Sequence, residues 1–113
     1  MTKKDRIVHI CSKEDAEKAL NAGVYAPQSL ADEGFIHASL REQVVKVANA
    51  FYPGLTNLVL LWIDTDRLGA DVVWENVEGV VFPHIYGSVN MDAVVRVTDF
   101  LPDEDGVFRN LPA

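Results

Sequence analysis

Three histidines are all the chain has, and each sits in a short apolar run: Ile7-Val8-His9-Ile10, Phe35-Ile36-His37-Ala38-Ser39 and Phe82-Pro83-His84-Ile85-Tyr86. A neutral imidazole offers one donor and one acceptor and titrates near pH 7, so it suits proton transfer, ligand binding or metal ligation. Ser39 places a hydroxyl two residues after His37, and Phe82 and Tyr86 flank His84 at the same spacing. Residues two apart on a strand share a face. If Val8 and Ile10, Ile36 and Ala38, and Ile85 point into the core, then His9, His37 with Phe35 and Ser39, and His84 with Phe82 and Tyr86 face the other way. Three strands would then bring three imidazoles to the wall of one cleft. For a single histidine the plainer alternative is a half-buried ring satisfied by a backbone carbonyl.

Glu75 follows Trp74 in the strand candidate 72–75. A carboxylate in an apolar strand is costly unless it meets water or a ligand. Glu75 is therefore the candidate catalytic carboxylate, its alternative being a solvent-facing strand residue. Nucleophile pairs Cys11–His9 and Ser39–His37 are disfavoured, because side chains two apart on a strand run parallel, about 7 Å from each other. Cys11 reads as a nucleophile or, more simply, as a small buried apolar residue. A metal-dependent hydrolase would need histidine ligands from separate strands, and no H-x-H, H-x-x-x-H or C-x-x-C spacing supports one. Glycine-rich phosphate loops and a G-x-S-x-G elbow are absent.

The elements that must position these groups follow in order. Residues 6–11 form a strand. Ser12 caps a helix with Glu14 and Asp15 in its first turn and Ala16, Ala19 and Leu20 along one stripe, ending at Gly23. The stretch 24–32, with Pro27, reads as a loop with one helical turn around Ser29-Leu30-Ala31, either a lid or a plain connection. Ser39-Leu40-Arg41-Glu42 fits a capping box, followed by a helix with Val44, Val47, Ala48 and Phe51 on one face that stops at Pro53-Gly54. Ser39 thus has two competing roles, cap and site.

The run 58–63 predicts a central strand buried on both faces. A turn at 64–69 and the strand 72–75 follow, the latter with Trp74 and Glu75 on opposite faces. Pro83 predicts an edge, a bulge or a strand start. The last strand runs from 91 or 92 to 100, then come an acidic turn at 102–106 and a tail that frays or packs. Two helices and four or five strands, with connections too short for parallel crossovers, give an α+β fold with a mainly antiparallel sheet.

The length of 113 residues fits one domain, 1–113. The longest apolar run is far short of the ~20 residues that span a bilayer, so no membrane partner is expected. A net charge of −7 argues against a nucleic-acid partner. One cysteine, and a charged start (Lys3, Lys4, Asp5, Arg6) without an apolar signal core, lead to an expectation of a cytoplasmic setting.

The set I-V-H-I at 7–10, G-F-I-H-A-S at 34–39, V-W-E at 73–75 and F-P-H-I-Y-G at 82–87 resembles a bacterial family of small domains of unknown function. That family looks like a compact relative of the ADP-ribosylation fold, the split-sheet architecture of NAD-dependent ADP-ribosyltransferases and RNA 2′-phosphotransferases. In the latter, a first-strand histidine and a later H-x-H-x-S strand hold the dinucleotide. His9, and His37 with Ser39, fall on matching positions, while Phe35 replaces the first histidine of that motif and Ile10 a glycine. The resemblance implies a nucleotide-like ligand, with NAD as the substrate it points to. Glu75 and His37 would be catalytic, and His9, Ser39, Trp74, His84 and Tyr86 would bind ligand. A ligand-sensing or protein-interaction module without catalysis is the alternative.

Overall fold

A strand apolar at every position has no face to give to solvent, and the chain builds two layers around one. The computed structural model describes residues 6–112. Strand β4 (Leu58–Asp64) runs antiparallel between β1 (Arg6–Ser12) and β8 (Val94–Phe100). All six residues from 58 to 63 are buried. On one face Val59, Leu61 and Ile63, with Ile7 and Cys11, pack against Ala16 and Ala19 of α1 (Lys13–Ala22) and against Tyr25 and Val89. Tyr25 and Val89 pair across strands β2 (Val24–Tyr25) and β7 (Val89–Asn90). On the other face Leu58, Leu60 and Trp62, with Val8 and Ile10, pack against Val44 and Ala48 of α3 (Val44–Phe51) and against Phe100 and Phe108.

This overturns the parity expected for β1. Both of its faces are covered, so His9 shares the core side of Ile7 and Cys11 and no polar face exists there.

The second sheet has the order β3-β6-β5, from β3 (Ile36–His37), β6 (Val80–Tyr86) and β5 (Asp71–Val77). It meets the first at one residue pair, Val8 with Ser39, which exchange both main-chain bonds at 2.8 Å. The segment 36–39 leaves β6 and crosses to β1, and the sheet splits beside it.

Helix α1 forms as its caps dictate. The Asp15 N–H donates to Ser12 Oγ at 3.1 Å, and Gly23 closes the helix at φ +81°; Leu20, however, is exposed. The stretch read as a loop contains α2 (Gln28–Glu33), so the described chain has three α-helices rather than two. Ser39 caps nothing. Its backbone is extended in the bridge to Val8, α3 begins five residues later, and Gln43 Oε1 takes the Leu40 N–H at 2.8 Å. The last strand begins at Val94, after a 3₁₀ turn at Met91–Ala93. The tail packs: the Asn49 side-chain amide donates to the Phe108 carbonyl and accepts the Phe108 N–H, both at 2.8 Å, and the Phe108 ring lies 4.7 Å from Phe100.

Pro83 sits in the middle of the central strand β6, not at an edge. Its carbonyl accepts the Ala38 N–H at 3.1 Å, so its nitrogen also faces the β3 side. The β3–β6 pairing ends at His37, so Pro83 removes a donor at the end of that ladder rather than inside it. Among the described residues no helix is long and apolar enough to cross a membrane.

The β5–β6 hairpin turns on Glu78 (φ +53°) and Gly79 (φ +90°), with the Gly79 N–H donating to Asn76 Oδ1 at 2.9 Å. Two left-handed residues match the twist of the flanking strands, and asparagine fills the first position at less strain than glutamate. Glu78→Asn should therefore stabilise the protein by up to about 1 kcal/mol. Denaturant unfolding checks this, and an unchanged or lowered midpoint would contradict it.

Candidate ligand-binding site

His37 and His84 stand directly opposite across β3 and β6. Their rings are 5.3 Å apart and nearly perpendicular at 80°. Main-chain groups alternate sides along an antiparallel strand, and Ala38 bonds to β6, so the His37 carbonyl points toward β1. No strand partner reaches it, because β1 touches this segment only at Val8 and Ser39. The His9 side chain fills the gap: Nδ1–H donates to the His37 carbonyl at 2.5 Å, and Nε2 accepts from the Tyr25 hydroxyl at 2.7 Å. Both ring nitrogens are used and the ring is buried. Burial lowers the His9 pKa to about 4, so this imidazole is neutral at pH 7.

A cavity of 180 Å³ opens where the sheets part. Val8 and Ile10 of β1, Val47 and Phe51 of α3, and Val77 and Phe82 of the hairpin form apolar walls, and His9, His37, Ser39 and His84 also line it. Strand pairing and helix packing thus bring all three imidazoles to one cavity.

The polar groups there are not equivalent. His84 is 5 % exposed and stacks on Phe35 with ring centres 4.2 Å apart. Its Nδ1–H donates to Glu75 Oε1 at 2.6 Å, and the Tyr86 hydroxyl donates to the same oxygen at 2.7 Å. These bonds, Tyr86 first and His84 second, hold the Glu75 carboxyl below its ordinary range, and the Tyr86 phenol is raised in turn by Glu75. A carboxylate only accepts, so a proton sits on Nδ1 of His84 and Nε2 is the ring nitrogen left without a bond. Among the described residues that nitrogen has no partner, and neither does the hydroxyl of Ser39; since no fully buried side-chain polar atom is left unbonded, both are accessible atoms of otherwise buried residues. His37 is more exposed, and its Nε2–H donates to Glu33 Oε1 at 2.7 Å.

Glu75 backs His84 and does not line the cavity, and Tyr86 lies beyond it with its hydroxyl on Glu75. Trp74 is on the opposite face of β5, paired with Pro83, half exposed and away from the cavity. Among the described residues no three His, Cys, Asp or Glu side chains are grouped to hold a metal ion. Cys11 belongs to the core, and burial, with Asp15 nearby, pushes its thiol up to about 12.

Two participants, Tyr25 and Glu33, were missed from sequence, and a third, Phe35, was placed on the face of His37 without its contact to His84. Tyr25 lay in the stretch read as a lid or connection, where only its aromatic character marked it. Glu33 precedes His37 by four residues across a helix end, a spacing with no strand meaning. Phe35 shared the right face with His37, but nothing local foretold that it would stack on His84.

The fold and site define a small α+β domain with mostly antiparallel sheets and a histidine-lined cavity. The chain belongs to the family described as "Protein of unknown function (DUF952)", whose model matches residues 10–97. It is similar to the crystal structures of CC0527 from Caulobacter crescentus and of a double mutant of that protein. Each is 36 % identical, covers 92 % of this chain and 93 % of that one, and has a TM-score of 0.80. The solution structure of CC0527 is 35 % identical, covers 93 % and 92 %, and has a TM-score of 0.78. No curated protein matches the chain.

Because His9 is held neutral in the folded state, the unfolded chain binds its proton first as pH falls. Stability is full above pH 6.5, declines between 6.5 and about 4, and loses nothing further from this group below that. The loss is roughly 3 kcal/mol. His9→Gln, which does not titrate, should show a shallower decline across that window in denaturant unfolding. Parallel wild-type and variant curves would contradict the assignment.

Proposed function

We propose that the protein binds a small nucleotide-like ligand, of the NAD or ADP-ribose type, through the cavity at the split. The observation that carries this is a buried, carboxylate-backed His84 that lines an apolar cavity and keeps Nε2 unbonded. An apolar cavity of about 150 Å³ takes a benzene-sized group. A cavity of 180 Å³ therefore suits one planar ring of a larger molecule, whose remainder extends past the exposed His37. Nε2 accepts a hydrogen bond and the Ser39 hydroxyl accepts or donates one, a match for a carboxamide on that ring. The resemblance to the ADP-ribosylation fold supports the same reading, since it assigns the strand of His37 and Ser39 to the dinucleotide. His9, with both nitrogens committed, serves as a clamp rather than a ligand contact.

If the ligand is also cleaved, the bond between ring and ribose breaks with its electron pair leaving on the ring nitrogen, nearby negative charge stabilises the oxocarbenium-like ribose, and water adds to that carbon and gives its proton to solvent. Glu75 is ionised and reaches the cavity through His84, and His37 stands beside it. A binding module without catalysis is the second reading, favoured because no Asp or Glu lines the cavity among the described residues.

Titration calorimetry against NAD, ADP-ribose and nicotinamide tests the binding. Saturable heat is expected for at least one of them, weakened about tenfold or more by His84→Gln, since a hydrogen bond of 1.5 kcal/mol is roughly that factor. Trp74→Ala should bind as the wild type does. Nicotinamide release from NAD that Glu75→Gln abolishes would mark the enzyme, and binding without release the module. No heat with any of the three at millimolar concentration would overturn the proposal.

A further inference from the structure

Strand β5 is seven residues long and pairs only with β6 among the described residues, so its other edge is open. Proteins ordinarily blunt such an edge with lysine, proline or a bulge. Edge strand β8 carries a basic residue, Arg96, and a register shift against β4, whereas β5 reads Asp71-Val72-Val73-Trp74-Glu75-Asn76-Val77, without Lys, Arg or Pro and without a register shift. Its hairpin holds a concentration of exposed large apolar residues: Val73, Trp74, Val77, Val80 and Val81 are each more than 40 % exposed.

We propose that β5 pairs antiparallel with β5 of a second copy of this chain, forming a twofold dimer with a continuous six-stranded sheet. The occupant and the register both follow from the backbone. The carbonyl of Pro83 faces β3, so alternation makes Phe82, His84 and Tyr86 face β5. Their partners Glu75, Val73 and Asp71 therefore bond inward, and Val72, Trp74 and Asn76 carry the outward N–H and C=O groups. Outward groups bond only to outward groups, so even-numbered residues must pair with even-numbered ones.

Three such registers give substantial overlap. Centring on Val73 sets Asp71 against Glu75 twice, and centring on Glu75 sets that carboxylate against itself. Like charges directly opposite are destabilising. Centring on Trp74 avoids both. It opposes Asp71 to Val77 and Glu75 to Val73, engages all three outward residues in main-chain bonds, and places the two Trp74 side chains together on one face. The edge thus complements itself in charge and hydrogen bonding in a single alignment.

Each copy carries a net charge of −7, so the copies repel at a distance. Salt screens that repulsion and should favour the dimer. Val73 of the second copy would lie beside Glu75, on the face that holds His84.

Sedimentation velocity over a concentration series, joined to amide hydrogen exchange read by NMR, tests this. Twice the monomer mass is expected at high concentration, increasingly so with added salt. The amides of Val72, Trp74 and Asn76 should exchange at least about tenfold more slowly there than on dilution, while those of Val73 and Glu75 stay protected throughout. Trp74→Lys, at an exposed position, should stay monomeric with an unchanged circular dichroism spectrum. If that variant misfolds, the alternating exchange pattern of the wild type decides alone. A monomer at all concentrations, or a dimer in which those three amides remain unprotected, would overturn the proposal.

Discussion

The structure depends on one side-chain-to-backbone hydrogen bond, from the His9 imidazole to the His37 carbonyl. Where a sheet splits, main-chain groups on the parting strands lose their ladder partners, and a buried carbonyl without a donor costs about 1–3 kcal/mol. A second main-chain pair next to Val8 and Ser39 would satisfy that carbonyl and close the gap. A ring satisfies it at a greater distance and keeps the strands apart. Tyr25 completes the arrangement by donating to Nε2, which sets the tautomer that makes His9 a donor at Nδ1.

The cavity follows from that separation. Its walls are residues that any core would accept: Val8, Ile10 and Val47, which pack in one cluster of the core, and Phe82 of the hairpin. The same crossing segment carries His37 and Ser39 to the rim, and the β5–β6 hairpin brings His84 with Glu75 and Tyr86 behind it. Two histidines of similar sequence setting therefore do different work. His9 spends both nitrogens on the fold, whereas His84 spends one on Glu75 and presents the other.

Much of this was legible in the sequence where a local rule decides. Ser12 and Gly23 delimit α1 because cap chemistry is local, and the unbroken 58–63 run requires burial on both faces. The pairing of His37 with Ser39, and of His84 with Tyr86, followed from strand parity on β3 and β6. Parity failed on β1, since it assumes one solvated face and that strand has none. The capping box at Ser39 failed because the same residue was needed extended for the bridge to Val8, a long-range demand that a four-residue motif cannot register. Pro83 looked like an edge residue, and only the shortness of β3 makes it tolerable at the sheet's centre. Tyr25 and Glu33 were invisible as partners, because their roles come from tertiary contacts across 16 residues and across a helix end.

The central claim is that His9 is a neutral clamp with its proton on Nδ1. Long-range proton–nitrogen correlation NMR of the imidazole rings tests it directly. A single Nδ1–H tautomer for His9, unchanged from pH 8 down to about 5, is the expected result. An Nε2–H tautomer, or a ring that titrates near the ordinary 6.5, would contradict the account.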